Sequence, residues 1–206
     1  MPMPGRTRLS RGRRRLAGLA LALLMVAAGA APAAAWDLKA LLQVLASQER
    51  REIAFEEQRF MSAMTTPLVS RGRFVYEPPD RLIKVLEAPR SESAVLEDGR
   101  LAILDAEGVE VASIDLWLQP DLQLVFESMK ALLTGDAEAL QAAFWVQLEG
   151  DETAWRLRLE PKLSAAKRRL AEIRVSGDQR QVRRFDVQES AGDRSEIRLL
   201  PEPARP

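Results

Sequence analysis

Apolar and polar residues alternate in short runs through most of the chain, and the run from 68 to 89, LVSRGRFVYEPPDRLIKVLEAP, is the clearest. Phe74 and Tyr76 share one face with the two-residue period of a strand, while Arg71 and Arg73 take the other. Pro78 and Pro79 lack backbone donors and force extended neighbours, so the strand is predicted to stop there. A second strand over 81–87 closes at Pro89. Three short strands follow, over 94–97, 100–104 and 109–114, separated by the turn signals Asp98-Gly99 and Glu107-Gly108. Alternation resumes after residue 143. Phe144, Val146 and Leu148 share a face, as do Trp155, Leu157 and Leu159, then Ala171, Ile173 and Val175, then Phe185 and Val187, with a last strand through Ile197 and Leu199. Residues 53–64 also read as a strand, with Phe55 and Glu57 on one side and Ala54 and Glu56 on the other.

Helical spacing occurs in three places. Asp37 suits an N-cap, and Leu38, Leu41, Leu42 and Leu45 form one stripe of a helix over 37–51. Pro120 suits a first helical turn, and Leu122, Val125, Met129 and Leu132 or Leu133 recur at helical spacing up to the breaker Gly135. A third helix over 136–143 carries Leu140 and leads into Phe144. The expected fold is mainly β with helices (α+β), about eleven antiparallel strands and three helices. A single sheet of that size must curl to bury its inner face.

The N-terminus changes the domain picture. Six arginines (Arg6, Arg8, Arg11, Arg13, Arg14 and Arg15) precede an apolar run over 16–31, and Ala33-Ala34-Ala35 supplies small residues for cleavage. The run has 16 residues, against roughly 20 for a membrane-spanning helix. Residues 1–35 therefore read as a secretory signal peptide, by the general or the twin-arginine route. One domain is expected over 36–200, followed by a loose tail, 201–206. Without the leader, 24 basic residues face 30 acidic ones, a net charge of −6. That balance argues against nucleic acid as a partner. The chain has no cysteine and no histidine, which excludes disulfides, the common zinc sites, Ser-His-Asp triads and Cys-His dyads. No cofactor or metal is expected. Glu56 and Glu57 are adjacent on a strand and face opposite ways, so they make no acid-base pair, and the acidic residues at 97, 98, 105 and 107 lack calcium-loop spacing.

The order helix, six strands, two helices, five strands resembles the outer-membrane lipoprotein carrier (LolA-like) family. The resemblance rests on residues 55–58 (FEEQ), Ser70-Arg71-Gly72-Arg73-Phe74, Pro79-Asp80-Arg81-Leu82 closing at Pro89, and Asp98-Gly99 before a strand. It implies an open half-barrel capped by helices whose hollow receives acyl chains. Such a carrier works in the periplasm as a monomer, taking cargo from an inner-membrane exporter to an outer-membrane acceptor. Two positions depart from the family pattern: Pro78 stands where lipoprotein carriers have arginine, and Lys84 where an aromatic residue is expected. These departures resemble a divergent branch of the family whose members carry other lipophilic products.

A carrier reading makes Phe74, Tyr76, Leu122, Val125, Met129, Leu132, Phe144, Trp155, Leu157 and Phe185 candidates for lining an apolar cavity. Each is also placed as an ordinary core residue would be, because periodicity fixes a side and not whether the inside is filled. An acyl chain sheltered in such a cavity gains about 0.8 kcal/mol per CH₂. A lipid- or protein-sensing regulatory domain on the same half-barrel is the alternative, with Arg168-Arg169 and Arg183-Arg184 as docking patches. A carboxylate-only hydrolase finds no convergent pair of acids, and the chain is expected not to be an enzyme.

Overall fold

Asp37 starts the first helix as its spacing predicts: the carboxylate accepts the Ala40 N–H at 2.8 Å, and α1 (Leu38–Ala46) buries Leu38, Leu41, Leu42 and Leu45. The computed structural model describes residues 36–47 and 52–201. The expected leader (1–35), the last part of the expected first helix (48–51) and most of the tail (202–206) lie outside the described residues.

The strands are β1 (Glu52–Phe60), β2 (Leu68–Glu77), β3 (Arg81–Ala88), β4 (Glu92–Glu97), β5 (Arg100–Leu104) and β6 (Glu110–Asp115), then β7 (Phe144–Gly150), β8 (Trp155–Pro161), β9 (Leu170–Asp178), β10 (Gln181–Glu189) and β11 (Arg194–Leu199). Between β6 and β7 come a 3-10 turn (Leu116–Leu118), α2 (Pro120–Thr134) and α3 (Ala137–Ala143); a short α4 (Ser164–Lys167), absent from the sequence expectation, joins β8 to β9. The first strand stops at Phe60 instead of running on to residue 64. There the Asp193 carboxylate accepts the Ser62 N–H at 2.8 Å and holds the turn, leaving Met64 exposed.

All eleven strands form one antiparallel sheet, in the order β6-β5-β4-β3-β2-β1-β11-β10-β9-β8-β7. The sheet is open, not closed into a barrel. β1 and β11 pair in its middle, with Phe55 opposite Leu199 and Glu57 opposite Ile197. The edges are β6 and β7, which are consecutive in sequence. Eleven alternating strands leave both edges running in the same direction, so a tight hairpin cannot join them. The chain must return along the sheet between β6 and β7, and α2 and α3 make that return across the inner face.

Inward alternation holds along most strands. Trp155, Leu157 and Leu159 are fully buried, as are Ile173 and Val175. Ala171 departs from the predicted set: it is exposed and Leu170 is buried instead. The register shifts there, Gln188 pairing with Glu172 but Glu189 with Leu170, so Ala171 is the extra residue of a bulge that reverses the alternation.

The outer face is covered by arginine-carboxylate pairs between neighbouring strands, including Arg71–Glu56 at 3.1 Å, Arg73–Glu87 at 2.5 Å and Arg184–Glu196 at 2.8 Å. The hydrogen bond from Arg198 is the main cause holding the Glu56 carboxyl below the ordinary glutamate value of 4.5; the charges of Arg198 and Arg71 add to it, against partial desolvation. A carboxyl lowered in the folded state stabilises the fold above its unfolded pKa, and that contribution is lost as pH falls through the folded value. Acidification below pH 4.5 should therefore destabilise wild type more than Glu56→Gln, a comparison of urea midpoints against pH. Parallel pH profiles would contradict it.

Candidate functional site: an apolar hollow under the second helix

The inner face is not uniformly filled. One buried cluster joins α1, the C-terminal half of the sheet and α2, centred on Leu41, Leu42, Phe55, Leu140, Phe144, Trp155, Leu157 and Ile173. A second, smaller cluster joins Leu82, Leu96, Leu101 and Leu116 to the other flank of α2. The helix serves both, and this corrects the single stripe expected for it. Its most buried residues are Leu124, Ser128, Ala131 and Leu132, toward the first cluster, while Leu122, Phe126 and Leu133 pack on the second and Met129 touches both. A helix lying between two packed flanks buries two stripes, and a reading that assumes one partner sees their average. Ser128, fully buried, returns its hydroxyl to the Val125 carbonyl at 2.7 Å, so the polar atom is satisfied within the helix.

Between the two clusters lies a cavity of about 590 Å³, within the size range of small-molecule sites, roughly 300–1,000 Å³. Its floor is Ile53, Phe74, Tyr76, Leu82, Phe185 and Leu199 from the sheet; its roof is Met129, Leu132 and Leu133 of α2 with Leu45 and Ala46 of α1. Pro78 and Val182 stand at one end, and the polar residues reaching it are Ser47, Glu52, Thr134, Arg180 and Gln181. Glu52 pairs with Arg73 at 3.5 Å. Arg180, the single cation of the lining, is exposed and has no ion pair among the described residues. The Tyr76 hydroxyl donates to the Pro79 carbonyl at 2.8 Å, which ties the end of β2 to the proline corner beside the hollow.

Phe74, Tyr76, Met129, Leu132 and Phe185, five of the ten residues expected to line a cavity, are brought together around this space. The other five are elsewhere. Phe144, Trp155 and Leu157 are each about 1% exposed and sit in the filled first cluster, because α3 and α4 close down on the β7–β9 side of the sheet. Val125 lies at the edge of that cluster and Leu122 on the second one. Sequence reading missed the end of α1 and the β9–β10 turn, whose residues meet the others only once the sheet has curled.

Lys84, one of the two departures noted in the sequence, also points inward. Its ammonium is 2.5 Å from the Glu57 carboxylate and 5.2 Å from the centre of the Phe55 ring, which itself packs on Phe74 at 4.6 Å. Lys84 is opposite Phe74, whereas Glu57 is opposite Ser70, so the ion pair runs diagonally across β2 at Gly72. No side chain could stand there: a Cβ on Gly72 would lie 1.8 Å from the Val85 carbonyl oxygen. The pair thus occupies the concave face where an aromatic residue would otherwise have filled it. Glu56, facing outward, takes no part in it, as the strand period requires. Among the described residues no group of three or more acidic side chains converges as a metal site would.

An open antiparallel sheet folded over crossing helices, with an apolar hollow between sheet and helix, defines the half-barrel class of proteins. The chain belongs to the outer membrane lipoprotein carrier protein LolA-like family, whose model matches residues 30–204. Similar solved structures include a LolA-superfamily protein from Nitrosomonas europaea, 8% identical over 82% of this chain and 94% of that one, TM-score 0.44. MucB of Pseudomonas aeruginosa, in complex with MucA, is 15% identical over 82% of this chain, TM-score 0.41, and the match spans 59% of that chain. LprF of Mycobacterium bovis is 8% identical over 82% of this chain and 94% of that one, TM-score 0.36. Curated protein sequences yield no match. No helix among the described residues is long and apolar enough to cross a membrane.

Proposed function

We propose that this protein is a periplasmic carrier, exported with residues 1–35 as a cleaved leader, that holds an acyl chain or other lipophilic cargo between sheet and α2 while it moves from an inner-membrane exporter to an outer-membrane acceptor. The observation that carries the reading is the unfilled apolar hollow between two packed clusters, in a family named for lipoprotein carriage. A hollow lined by Phe74, Leu82, Met129 and Leu132 loses dispersion contacts that a filled core would make. An acyl chain restores them and is shielded from water. Met129, unbranched and touching both clusters, adapts to chains of different shape. Arg180 at the opening suits an anionic headgroup, so the cargo is read as an acid or a phosphate ester of an amphiphile. The chemistry required is binding and release, and no catalytic group is assigned.

Native mass spectrometry with lipid extraction, on processed protein taken from its own periplasm, tests this directly. An acyl species should co-purify. Leu133→Trp, which fills the hollow without adding charge, should lose that species while keeping the wild-type melting temperature. Arg180→Glu should retain neutral lipids and lose anionic ones. Protein that emerges empty and takes up no offered fatty acid or phospholipid overturns the reading.

A further inference from the structure

Four of the large apolar residues left exposed stand on elements tied together by one segment of the chain. Trp117 and Leu118 (73% and 55% exposed) occupy the 3-10 turn immediately before α2, Trp145 (62%) is at the start of β7, and Leu163 (53%) precedes α4. The segment over 161–169, PKLSAAKRR, links the three sites. At one end the Lys162 N–H donates to the Ala143 carbonyl at 2.9 Å, and the Lys162 ammonium lies 4.7 Å from the centre of the Trp145 ring. At the other end Arg169 donates to the Gln119 side chain at 2.9 Å and lies 3.4 Å from the Asp121 carboxylate, at the very start of α2.

The charge of this segment is the opposite of the chain's. Residues 36–206 carry a net −6, yet 161–169 holds Lys162, Lys167, Arg168 and Arg169 with no acid. All four are exposed, and Lys162, Lys167 and Arg168 have no ion pair among the described residues. Of the nearby carboxylates, Asp121 is held by Arg169 and Glu160 by Arg158 at 3.0 Å. The other basic patch of the sequence is neutralised: Arg183 is paired with Asp178, and Arg184 with Asp186 and Glu196.

We infer that this face is a docking surface for an anionic phospholipid bilayer. Exposed tryptophan and leucine side chains are suited to the headgroup boundary, where an aromatic ring meets both hydrocarbon and water. The unpaired cations beside them, Lys162, Lys167 and Arg168, are drawn to the negative surface potential of acidic lipids. Two tryptophans beside three unpaired cations match both requirements. A protein partner with a basic-aromatic preference would have to supply an acidic, apolar face of its own. The surface is distinct from the hollow. α2 starts beside the docking face at Gln119 and reaches the cavity with Met129, Leu132 and Leu133, so one helix connects the two.

Flotation with liposomes tests the inference, using processed protein whose N-terminus is confirmed by intact mass. Wild type should float with phosphatidylglycerol–phosphatidylcholine vesicles at low salt, stay behind with pure phosphatidylcholine, and be released by salt. Lys162→Glu/Lys167→Glu/Arg168→Glu should lower partitioning at least about tenfold, and Trp117→Ser/Leu118→Ser should lower it at unchanged charge. Lys162→Arg/Lys167→Arg should bind as wild type does, and circular dichroism should show all variants folded. Failure of wild type to float with anionic vesicles overturns the inference, as does equal flotation by the charge-reversed and wild-type proteins. Photo-crosslinking from position 117 to a protein, with no vesicle binding, reassigns the face to a protein partner. Leu133→Trp leaves flotation unchanged, which separates this test from that of the cavity.

Discussion

Trp155→Ala should destabilise the domain by about 3–5 kcal/mol, toward the upper end of what aromatic truncation in a core produces. The reason lies in its neighbours. Trp155 is opposite Gly150 on β7 and Gly177 on β9, two positions that have no side chain, and its ring lies over Gly177. A Cβ built on Gly177 would come within 2.4 Å of the indole, which shows how closely the ring covers that strand. Glycines cannot lean into the space that truncation opens, and the cavity would stay. The indole N–H is buried without a hydrogen-bond partner among the described residues, so Trp155→Phe removes an unsatisfied donor along with part of the ring. Its cost should be about 1–2 kcal/mol. Denaturant midpoints for the two variants measure the difference; equal losses would mean that the indole nitrogen is satisfied in solution.

Lys84→Met should destabilise the domain by about 2–4 kcal/mol, and Glu57→Leu combined with Lys84→Met should return stability to within about 1 kcal/mol of wild type. The single change leaves a carboxylate buried on an apolar face with only the Ser70 hydroxyl, at 3.4 Å, as a close partner. The figure falls below that for a fully buried pair because the lysine side chain keeps 25% of its exposure. Removing both charges replaces the ion pair by hydrocarbon of similar length beside Phe55 and Phe74, which dispenses with both desolvation costs. A double-mutant cycle in urea isolates the coupling. If the double variant is no more stable than Lys84→Met, the two side chains are not coupled.

Much of the fold was legible because local rules and the final packing agreed. The stripe Leu38, Leu41, Leu42 and Leu45, the stop at Pro78 and Pro79, the Asp98-Gly99 turn and the Trp155, Leu157, Leu159 alternation are each set by neighbours within a few residues in sequence. Where a local rule was overridden, the cause is identifiable. Ala171 faces out because a bulge slips the register, α2 buries two stripes because it has partners on both flanks, and α4 is too short to show a helical period. The cavity was half legible: Phe74, Tyr76, Met129, Leu132 and Phe185 could be placed on its side of the sheet, but nothing local distinguished them from Phe144, Trp155 and Leu157.

By itself, the sequence determined an antiparallel α+β domain with a mostly apolar inner face, a charged outer one and no histidine or cysteine chemistry, since backbone geometry and composition depend on the residues alone. Only the tertiary structure decided which inward residues surround a hollow and which fill a core. It also decided that Lys84 reaches Glu57 across Gly72 and that residues 161–169 meet the start of α2. Those outcomes depend on how far the sheet curls and where the β6–β7 crossover lies on it, distances set between residues dozens of positions apart. Periodicity carries no information about such distances, because it reports the direction of a side chain and not what stands opposite it.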